Sequence, residues 1–203
     1  MSTMITLVLP DGKTLELEKG KSVLEAVQKI GARLAQAAIS ASLDGELVDL
    51  TAKVEKNAAF KVFTFASNEG KETYWHSTSH LMAYAIQELF PSAKITIGPA
   101  VEEGFYYDID FERSFTPEDL QKIEDKMREL AQKDFPITRK ELKKEDAIAF
   151  FKKKNNPYKV EIISELDAPS VSLYEEGSFT DLCTGPHVTS TGKIGAVKLL
   201  RVS

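Results

Sequence analysis

The first third of the chain alternates short apolar stretches with turn signals. ITLVLP and KTLELE each alternate apolar and polar residues, and Asp11-Gly12 lies between them, which predicts two strands joined by a hairpin turn. Further on, AISASL, a second turn at Asp44-Gly45 and AFKVFTF predict at least two more strands. The pattern therefore indicates a small sheet within about 65 residues.

One helix is expected inside this sheet pattern. Ser22 and Glu25 form a capping-box pattern ahead of the apolar positions of VQKI, and Gly31 follows as a stop signal. Two strands, a helix and then more strands are typical of a β-grasp (ubiquitin-like) fold. We therefore predict a β-grasp domain over residues 1–64.

A polar stretch separates this domain from the rest of the chain. SNEGKET, at 67–73, contains a glycine and has no hydrophobic periodicity, so residues 65–73 are predicted to be a linker. The helical pattern then begins at Tyr74 and runs to Phe90, where Pro91 stops it. The second domain is expected to span residues 74–203.

The second domain mixes strand and helix patterns. AKITIGPAV and GFYYDID predict strands flanking a Gly98-Pro99 turn, and Thr116 followed by Pro117 begins a helix that extends to about Gln132. KEDAIAFFKKK predicts a shorter helix, whereas YKVEII after Pro157, FTDLC and AVKLLRV are expected to be strands. The predicted fold class is α+β: a small β-grasp domain followed by a larger α+β domain.

Composition narrows the class of protein. The 203 residues are 42% hydrophobic and 28% charged, with no apolar run of about 18 residues, so we expect no membrane partner. The N-terminus lacks the features of a signal peptide, and a single cysteine forms no internal disulfide, which favours the cytoplasm. The net charge of −5 argues against a broad nucleic-acid surface but not against a local one.

The rarest residue types occur in two pairs. The only histidines and the only cysteine are His76, His80, Cys183 and His187. His76 and His80 are four apart on a predicted helix and share one face, and Gly185-Pro186 predicts a turn that presents the second pair. Such a set could hold zinc or polarise an ester and a water without metal. The absence of HExxH excludes a typical metalloprotease motif, but the spacing leaves the other two readings open.

These motifs together resemble a known family. HSTSH, GPAVEEGFYYDID and DLCTGPH, behind a β-grasp domain, are similar to the N-terminal region of bacterial-type threonyl-tRNA synthetases. The resemblance implies a TGS domain followed by an editing domain of the threonyl/alanyl-tRNA synthetase second-additional-domain (tRNA-SAD) type. It further implies hydrolysis of the ester of mischarged Ser-tRNA(Thr), with the serine-carrying acceptor end of tRNA(Thr) as partner.

The same resemblance implies that other domains are missing from this chain. The family's aminoacylation and anticodon-binding domains would lie beyond Ser203, so we expect a fragment of a threonine–tRNA ligase with deacylase activity rather than a freestanding editing factor. Full-length members are expected to form homodimers through those domains.

The resemblance also assigns site residues. The residues expected to take part in catalysis are His76, Lys159 and Cys183, and those expected to bind substrate are His80, Gly98, Tyr107, Asp181 and His187. Lys159 and His76 would orient water or stabilise the oxyanion, and Asp181 would bind the substrate's α-ammonium. From the residues alone, Lys159 is better explained as a solvent-facing strand lysine, whereas Tyr107 fits core packing and the site equally well and Asp181 could also cap or brace a turn.

Two other functions stay open at this point. One is a tRNA-binding or regulatory module with an inactive pocket, and the other is a zinc-dependent hydrolytic site. In the alanyl relatives the matching His and Cys residues are expected to hold zinc, whereas the threonyl editing site is expected to work without a cofactor. Zinc at His76, His80, Cys183 and His187 is therefore possible but not favoured.

Overall fold

The computed structural model describes residues 3–202, which form two compact units. The first unit contains the residues up to Tyr74 together with Gly185–Thr189, and the second contains Trp75–Thr184 and the residues from Ser190 onward. The mixture of helices and strands confirms the predicted α+β class. Within the described part of the chain, no helix has the length and apolar character needed to cross a membrane.

The first unit is a mixed five-stranded sheet with one well-packed helix. Its elements are β1 (Met4–Val8), β2 (Thr14–Glu18), α1 (Val23–Ile30), α2 (Ala32–Ala37), β3 (Ala38–Leu43), β4 (Glu46–Val48) and β5 (Ala58–Thr64). The strand order is β2-β1-β5-β3-β4, with β1 and β5 parallel and the other neighbours antiparallel. Val23 and Val27 of α1 are fully buried with Leu7 and Phe60 of the sheet. This arrangement confirms the predicted β-grasp fold.

The second unit is built around a long helix and a three-stranded antiparallel sheet. Its elements are α3 (Asn68–Leu89, whose first residues belong to the first unit), β6 (Lys94–Ile95), β7 (Ala100–Val101), β8 (Gly104–Phe105), β9 (Ile109–Asp110), α4 (Pro117–Gln132), β10 (Ile137–Lys143), α5 (Lys144–Lys153), α6 (Pro157–Glu165), β11 (Ser170–Glu176), β12 (Phe179–Leu182) and a 3-10 turn (Thr191–Lys193). The main sheet has the order β10-β11-β12, and β6-β9 and β7-β8 are short antiparallel pairs.

The two faces of the β10-β11-β12 sheet have different environments. On one face, Val171 and Leu173 pack with Phe151 of α5 and Ile163 of α6 in a hydrophobic core. On the other face lie Tyr174, Glu176, Phe179 and Asp181, all buried. Because directly paired residues of antiparallel strands point to the same side, this second face collects the polar side chains of the site.

Helix α3 begins earlier than the sequence pattern predicts. The expected linker residues from Asn68 onward are helical, so the predicted start at Tyr74 is wrong. Ser67 caps the helix: its Oγ accepts the backbone N–H of Gly70 at 3.2 Å. Gly70 is required by a close approach, because a Cβ there would lie 2.0 Å from the carbonyl oxygen of Thr64. A tight packing contact, rather than chain flexibility, explains this glycine.

The predicted strand after Pro157 is also wrong. Residues Pro157–Glu165 form helix α6, in which Asn156 is the N-cap, accepting the backbone N–H of Lys159 at 3.1 Å, and Pro157 occupies the first turn. The β-branched residues of this stretch favoured a strand, but the Asn-Pro cap determined the outcome.

The last predicted strand is missing as well. AVKLLRV has no strand pairing within residues 3–202, since Glu124 of α4 holds it instead by accepting the backbone N–H of Leu199 at 2.7 Å. The helices predicted over 116–132 and 144–154 are confirmed.

Candidate functional site

Helix α3 presents His76 and His80 on one face. The two imidazole rings are in edge-to-face contact, with centroids 5.1 Å apart, as the spacing of four residues requires. His80 is buried and its ring lies 6.2 Å from that of Phe179 of β12, whereas His76 is only half-buried. His76 is therefore the more accessible of the two imidazoles.

Cys183 lies directly beside His76. Its Sγ is 3.3 Å from His76 Nε2, and its backbone is fixed on both sides by Ser172 of β11, which donates its Oγ to the Cys183 carbonyl and accepts the Cys183 N–H. This pairing extends the β11–β12 ladder by one residue. Asp181 and Cys183, two residues apart, therefore share a face of the strand.

A second group of side chains is centred on the carboxylate of Asp181. Lys159 Nζ lies 2.7 Å from Oδ1, and the Tyr107 hydroxyl donates to Oδ2 at 2.6 Å. The Leu182 backbone N–H also donates to Oδ1, at 2.8 Å. The Lys159 and Asp181 side chains are only 3% and 4% exposed, so this is a buried ion pair. Lys159 is thus not the solvent-facing strand residue that its local sequence suggests.

Gly98 positions the ring of Tyr107. A Cβ at this residue would lie 2.1 Å from Tyr107 Cδ2, so only glycine allows the ring to occupy its place. Ser79 of α3 fixes this stretch of backbone, because its Oγ donates to the Gly98 carbonyl at 2.6 Å. The Gly98 backbone thus packs against the ring of another residue of the predicted site.

The titratable groups of the site influence one another. Burial lowers the pKa of His80 well below its ordinary value, and the charges of His76 and Lys159 lower it further, so the His80 imidazole is neutral. Burial also raises the pKa of Tyr107 well above its ordinary value, with added contributions from Asp181 and Cys183. The His76–Cys183 pair and the Lys159–Asp181–Tyr107 group therefore belong to one electrostatic environment.

The site also contains a possible set of metal ligands. Within the second unit, the donor atoms of His76, His80 and Cys183 all lie within 4.8 Å of one another, a separation that one zinc ion could bridge. His187 belongs to the segment that clusters with the first unit, where its side chain is buried and its backbone N–H donates to Asp49 Oδ1 at 2.7 Å. Every other predicted site residue lies in the second unit.

Several residues that build the site were missed in the sequence. Asn156 places Lys159 by capping α6, and its Nδ2 donates to the Ile95 carbonyl at 3.0 Å. Ser79 fixes Gly98, and Ser172 fixes Cys183. The Asn-Pro pair is a recognisable cap signal, whereas the two serines bond to residues distant in sequence and leave no local pattern.

Comparison with known proteins agrees with this architecture. The TGS domain model matches residues 5–64, and the model of the Threonyl and Alanyl tRNA synthetase second additional domain matches residues 171–203. The threonine–tRNA ligase of Symbiobacterium thermophilum is 47% identical over 204 residues, which is 100% of this chain and 31% of the relative. Those of Citrifermentans bemidjiense and Geobacter sp. are each 52% identical over 199 residues, covering 98% of this chain and 31% of each relative.

The chain thus spans about a third of the length of these curated relatives. Its similarity to them is continuous across both units, and the order of the two matched domains is the one expected from the sequence motifs. The resemblance is thereby confirmed: this chain carries a TGS domain and a threonyl and alanyl tRNA synthetase second additional domain, and it corresponds to the N-terminal region of bacterial threonine–tRNA ligases.

Proposed function

We propose that the second unit hydrolyses the ester that links serine to tRNA(Thr). The observation that carries the proposal is the buried lysine: Lys159 of α6 lies 2.7 Å from Asp181. Asp181 shares a face of the sheet with Cys183, and the Cys183 thiol lies next to His76. A buried ammonium and an imidazole within one site are groups that ester hydrolysis needs, to stabilise the oxyanion and to orient the water. Because the relatives are threonine–tRNA ligases, an aminoacyl-tRNA is the expected substrate of such a site.

A threonine-specific ligase has a physical reason to need this activity. Serine lacks one methyl group of threonine, and one methyl in a pocket gives only about 1–3 kcal/mol of discrimination. A second site that admits serine and excludes the larger threonine would supply the missing fidelity. The acceptor end of tRNA(Thr) is the proposed partner of the second unit.

We assign Lys159 to stabilisation of the oxyanion. Lys159 forms an ion pair with Asp181, so its ammonium group is suited to stabilising a developing negative charge. A cation already fixed in a buried site needs little reorganisation during the reaction. His76, which is half-buried, is then the better candidate to orient the attacking water.

The Asp181 carboxylate has a hydrogen-bond acceptor position left for the substrate. An ionised carboxylate has about four acceptor positions, and three donors occupy it here: Lys159, Tyr107 and the Leu182 backbone. The remaining position suits the α-ammonium of the seryl group. Tyr107, Cys183 and His187 are proposed to contact the seryl group or the terminal ribose, and the neutral His80 is proposed to support the pocket.

Single-turnover deacylation tests the proposal. With the chain in excess over Ser-tRNA(Thr) or Thr-tRNA(Thr), we expect rapid loss of serine and slow loss of threonine. Lys159→Met should slow the loss of serine by about 100-fold, the effect of removing one oxyanion-stabilising group. Lys122→Met, which changes an exposed lysine of α4, is the matched control and should keep the wild-type rate.

His76→Ala provides a second test that does not disturb the buried ion pair. It should also abolish rapid deacylation while the circular dichroism spectrum stays unchanged. Equal hydrolysis of both esters would contradict the proposed selectivity. Failure on both esters by folded wild-type protein would favour a tRNA-binding module with an inactive pocket.

Zinc-dependent hydrolysis is the second candidate function. The closeness of the His76, His80 and Cys183 donors favours it, and a neutral His80 is in the form that binds metal. Bound zinc would supply an activated water or polarise the ester. Metal analysis of protein purified without added zinc distinguishes the two candidates, since stoichiometric zinc would favour this one.

A further inference from the structure

A buried carboxyl group on the site's sheet has no role in the mechanism described above. Glu176 is the last residue of β11, and the two-residue turn at Gly177 and Ser178 places it opposite Phe179. The register puts Glu176 on the same face as Asp181, two residue pairs along the ladder, which corresponds to a diagonal separation of about 7–8 Å between backbones. It is 2% exposed.

Neither carboxyl oxygen of Glu176 has a hydrogen-bond partner among residues 3–202. Buried side-chain polar groups are nearly always hydrogen-bonded, so such a group requires an explanation. An apolar side chain of similar size would leave no unsatisfied polar atoms here, so the fold would be more stable with it. Because Glu176 weakens the fold at its own position, we explain its presence by a contribution to the neighbouring site around Asp181.

Burial and the nearby Asp181 carboxylate favour the uncharged form of Glu176. Among the residues that the structure describes, the titratable groups on this side of the unit include Asp181, Cys183, Tyr107, Lys159, the α3 residues His76, His80 and Tyr84, and the exposed Arg139 and Glu141 of β10. The buried cation among them, Lys159, is already paired with Asp181. Burial therefore raises the pKa of Glu176 to about 8, with a further contribution from Asp181.

We infer that Glu176 is a further positioning residue of the proposed site: in the free protein its carboxyl group is hydrogen-bonded to Asp181 through a buried water and fixes the Lys159–Asp181–Tyr107 group. This water occupies the acceptor position of Asp181 that the α-ammonium of the seryl group takes when the substrate binds. The diagonal separation suits one bridging water, and buried waters typically join polar groups that lack protein partners. The inference rests on the proposed hydrolytic function. Tyr107 connects the two acids electrostatically, because both carboxyl groups raise its pKa.

The uncharged state matters for the reaction. With Glu176 neutral, Lys159 and Asp181 form a balanced pair of charges. An ionised Glu176 would compete for Lys159 and oppose the developing oxyanion, and a unit charge about 10 Å away at an effective dielectric constant of about 20 slows such a step on the order of tenfold. Hydrolysis by the wild type should therefore decline above about pH 8, after subtraction of the uncatalysed rate.

Two replacements separate hydrogen bonding from packing. Glu176→Gln keeps a donor and an acceptor without charge, so it should deacylate Ser-tRNA(Thr) at the wild-type rate at pH 7 and should lose the decline above pH 8. Glu176→Met keeps only the bulk, so it should be about tenfold slower while melting at the same or a higher temperature. Glu175→Gln, on the opposite face and paired with Lys140, is the matched control.

The outcomes decide the inference in both directions. Wild-type activity of Glu176→Met would overturn it, and so would a Glu176→Gln protein as slow as Glu176→Met, because a charged carboxylate would then be required. If the wild type has no deacylase activity, the proposed function fails. Carbon-detected NMR of the Asp181 carboxyl group still tests whether Glu176 is coupled to Asp181. An Asp181 carboxyl signal that shifts near pH 8 in the wild type but not in Glu176→Gln would support the coupling, and an unshifted signal would overturn it.

Discussion

A single added methyl group at Gly98 should disconnect Tyr107 from Asp181. In Gly98→Ala the new Cβ would lie 2.1 Å from Tyr107 Cδ2, whereas non-bonded carbons rest about 3.5–4.0 Å apart. The ring must therefore move by roughly 1.5 Å, since Ser79 holds the Gly98 backbone in place. A shift of that size stretches the 2.6 Å bond from the Tyr107 hydroxyl beyond hydrogen-bonding distance.

The expected loss follows from the bond that is broken. A hydrogen bond to a charged group contributes about 1.5–3 kcal/mol, so the free energy of unfolding of the second unit should fall by about 2 kcal/mol. The backbone at Gly98 lies outside the left-handed region, so no conformational strain is added. The displaced Tyr107 should also titrate at lower pH, because burial and Asp181 both raise its pKa in the wild type.

Urea denaturation and an ultraviolet titration of the tyrosines measure the two effects. Gly31→Ala is the matched control: nothing lies within 4 Å of its added Cβ, and its φ of 169° is extended backbone that any residue adopts. This control should stay within about 0.5 kcal/mol of the wild type. A Gly98→Ala protein with wild-type stability and an unchanged Tyr107 pKa would refute the steric argument.

Four further outcomes are expected. Tyr107→Phe keeps the ring but leaves Asp181 Oδ2 without its donor, so the second unit should lose about 1.5–3 kcal/mol in urea denaturation, and an unchanged midpoint would count against this bond. The pKa of Glu176 is raised from 4.5 to about 8, so between these pH values the free energy of unfolding of the wild type should fall, relative to that of Glu176→Gln, by about 1.4 kcal/mol per pH unit. Amide exchange in β11 and β12 measures this, and parallel stability curves for the two proteins would exclude the raised pKa. Thr116→Ala removes the capping box of α4 and should cost about 1 kcal/mol, seen as faster amide exchange in its first turn, with Ser114→Ala as the control. Deacylation should survive prolonged treatment with a zinc chelator, and a loss that added zinc restores would instead support the metal-dependent reading.

The parts of the fold that follow from local signals could be predicted. The Asp-Gly turns at 11–12 and 44–45 give antiparallel hairpins, and the capping boxes at Ser22 and Thr116 begin α1 and α4. In each case a turn or cap residue determines the conformation within a few positions of itself. Packing elsewhere in the chain does not override such signals.

The wrong predictions have tertiary causes. Gly70 reads as a linker residue until the contact with the Thr64 carbonyl is known, and the tail at 196–202 is held by Glu124 rather than by a neighbouring strand. The stretch after Pro157 has a strand-like composition, but Asn156 caps it as a helix. Propensity is a weak guide where a cap or a close contact opposes it.

The sequence indicates the candidate residues of the site but not the contacts between them. The pairing of histidines and cysteine indicates one cluster, and the resemblance adds Lys159, Tyr107 and Asp181. Nothing local, however, predicts that Lys159 and Asp181 form a buried pair, because one is placed by the cap of α6 and the other by the β11–β12 hairpin. Contacts between residues on separate elements depend on packing that no single segment encodes.

The buried ion pair is better explained by the proposed reaction than by the stability of the fold. Burying two charges removes their hydration, and their mutual attraction only partly offsets this loss, so an apolar pair of similar volume would stabilise the unit equally well or better. The unpaired carboxyl group of Glu176 on the same face is a second local cost. Two unfavourable features next to the half-buried His76 and Cys183 are typical of a site in which charge must be ready before the substrate arrives. The residues that fix these groups, the cap Asn156 and Ser79, therefore belong to the proposed site as much as the residues proposed to contact substrate.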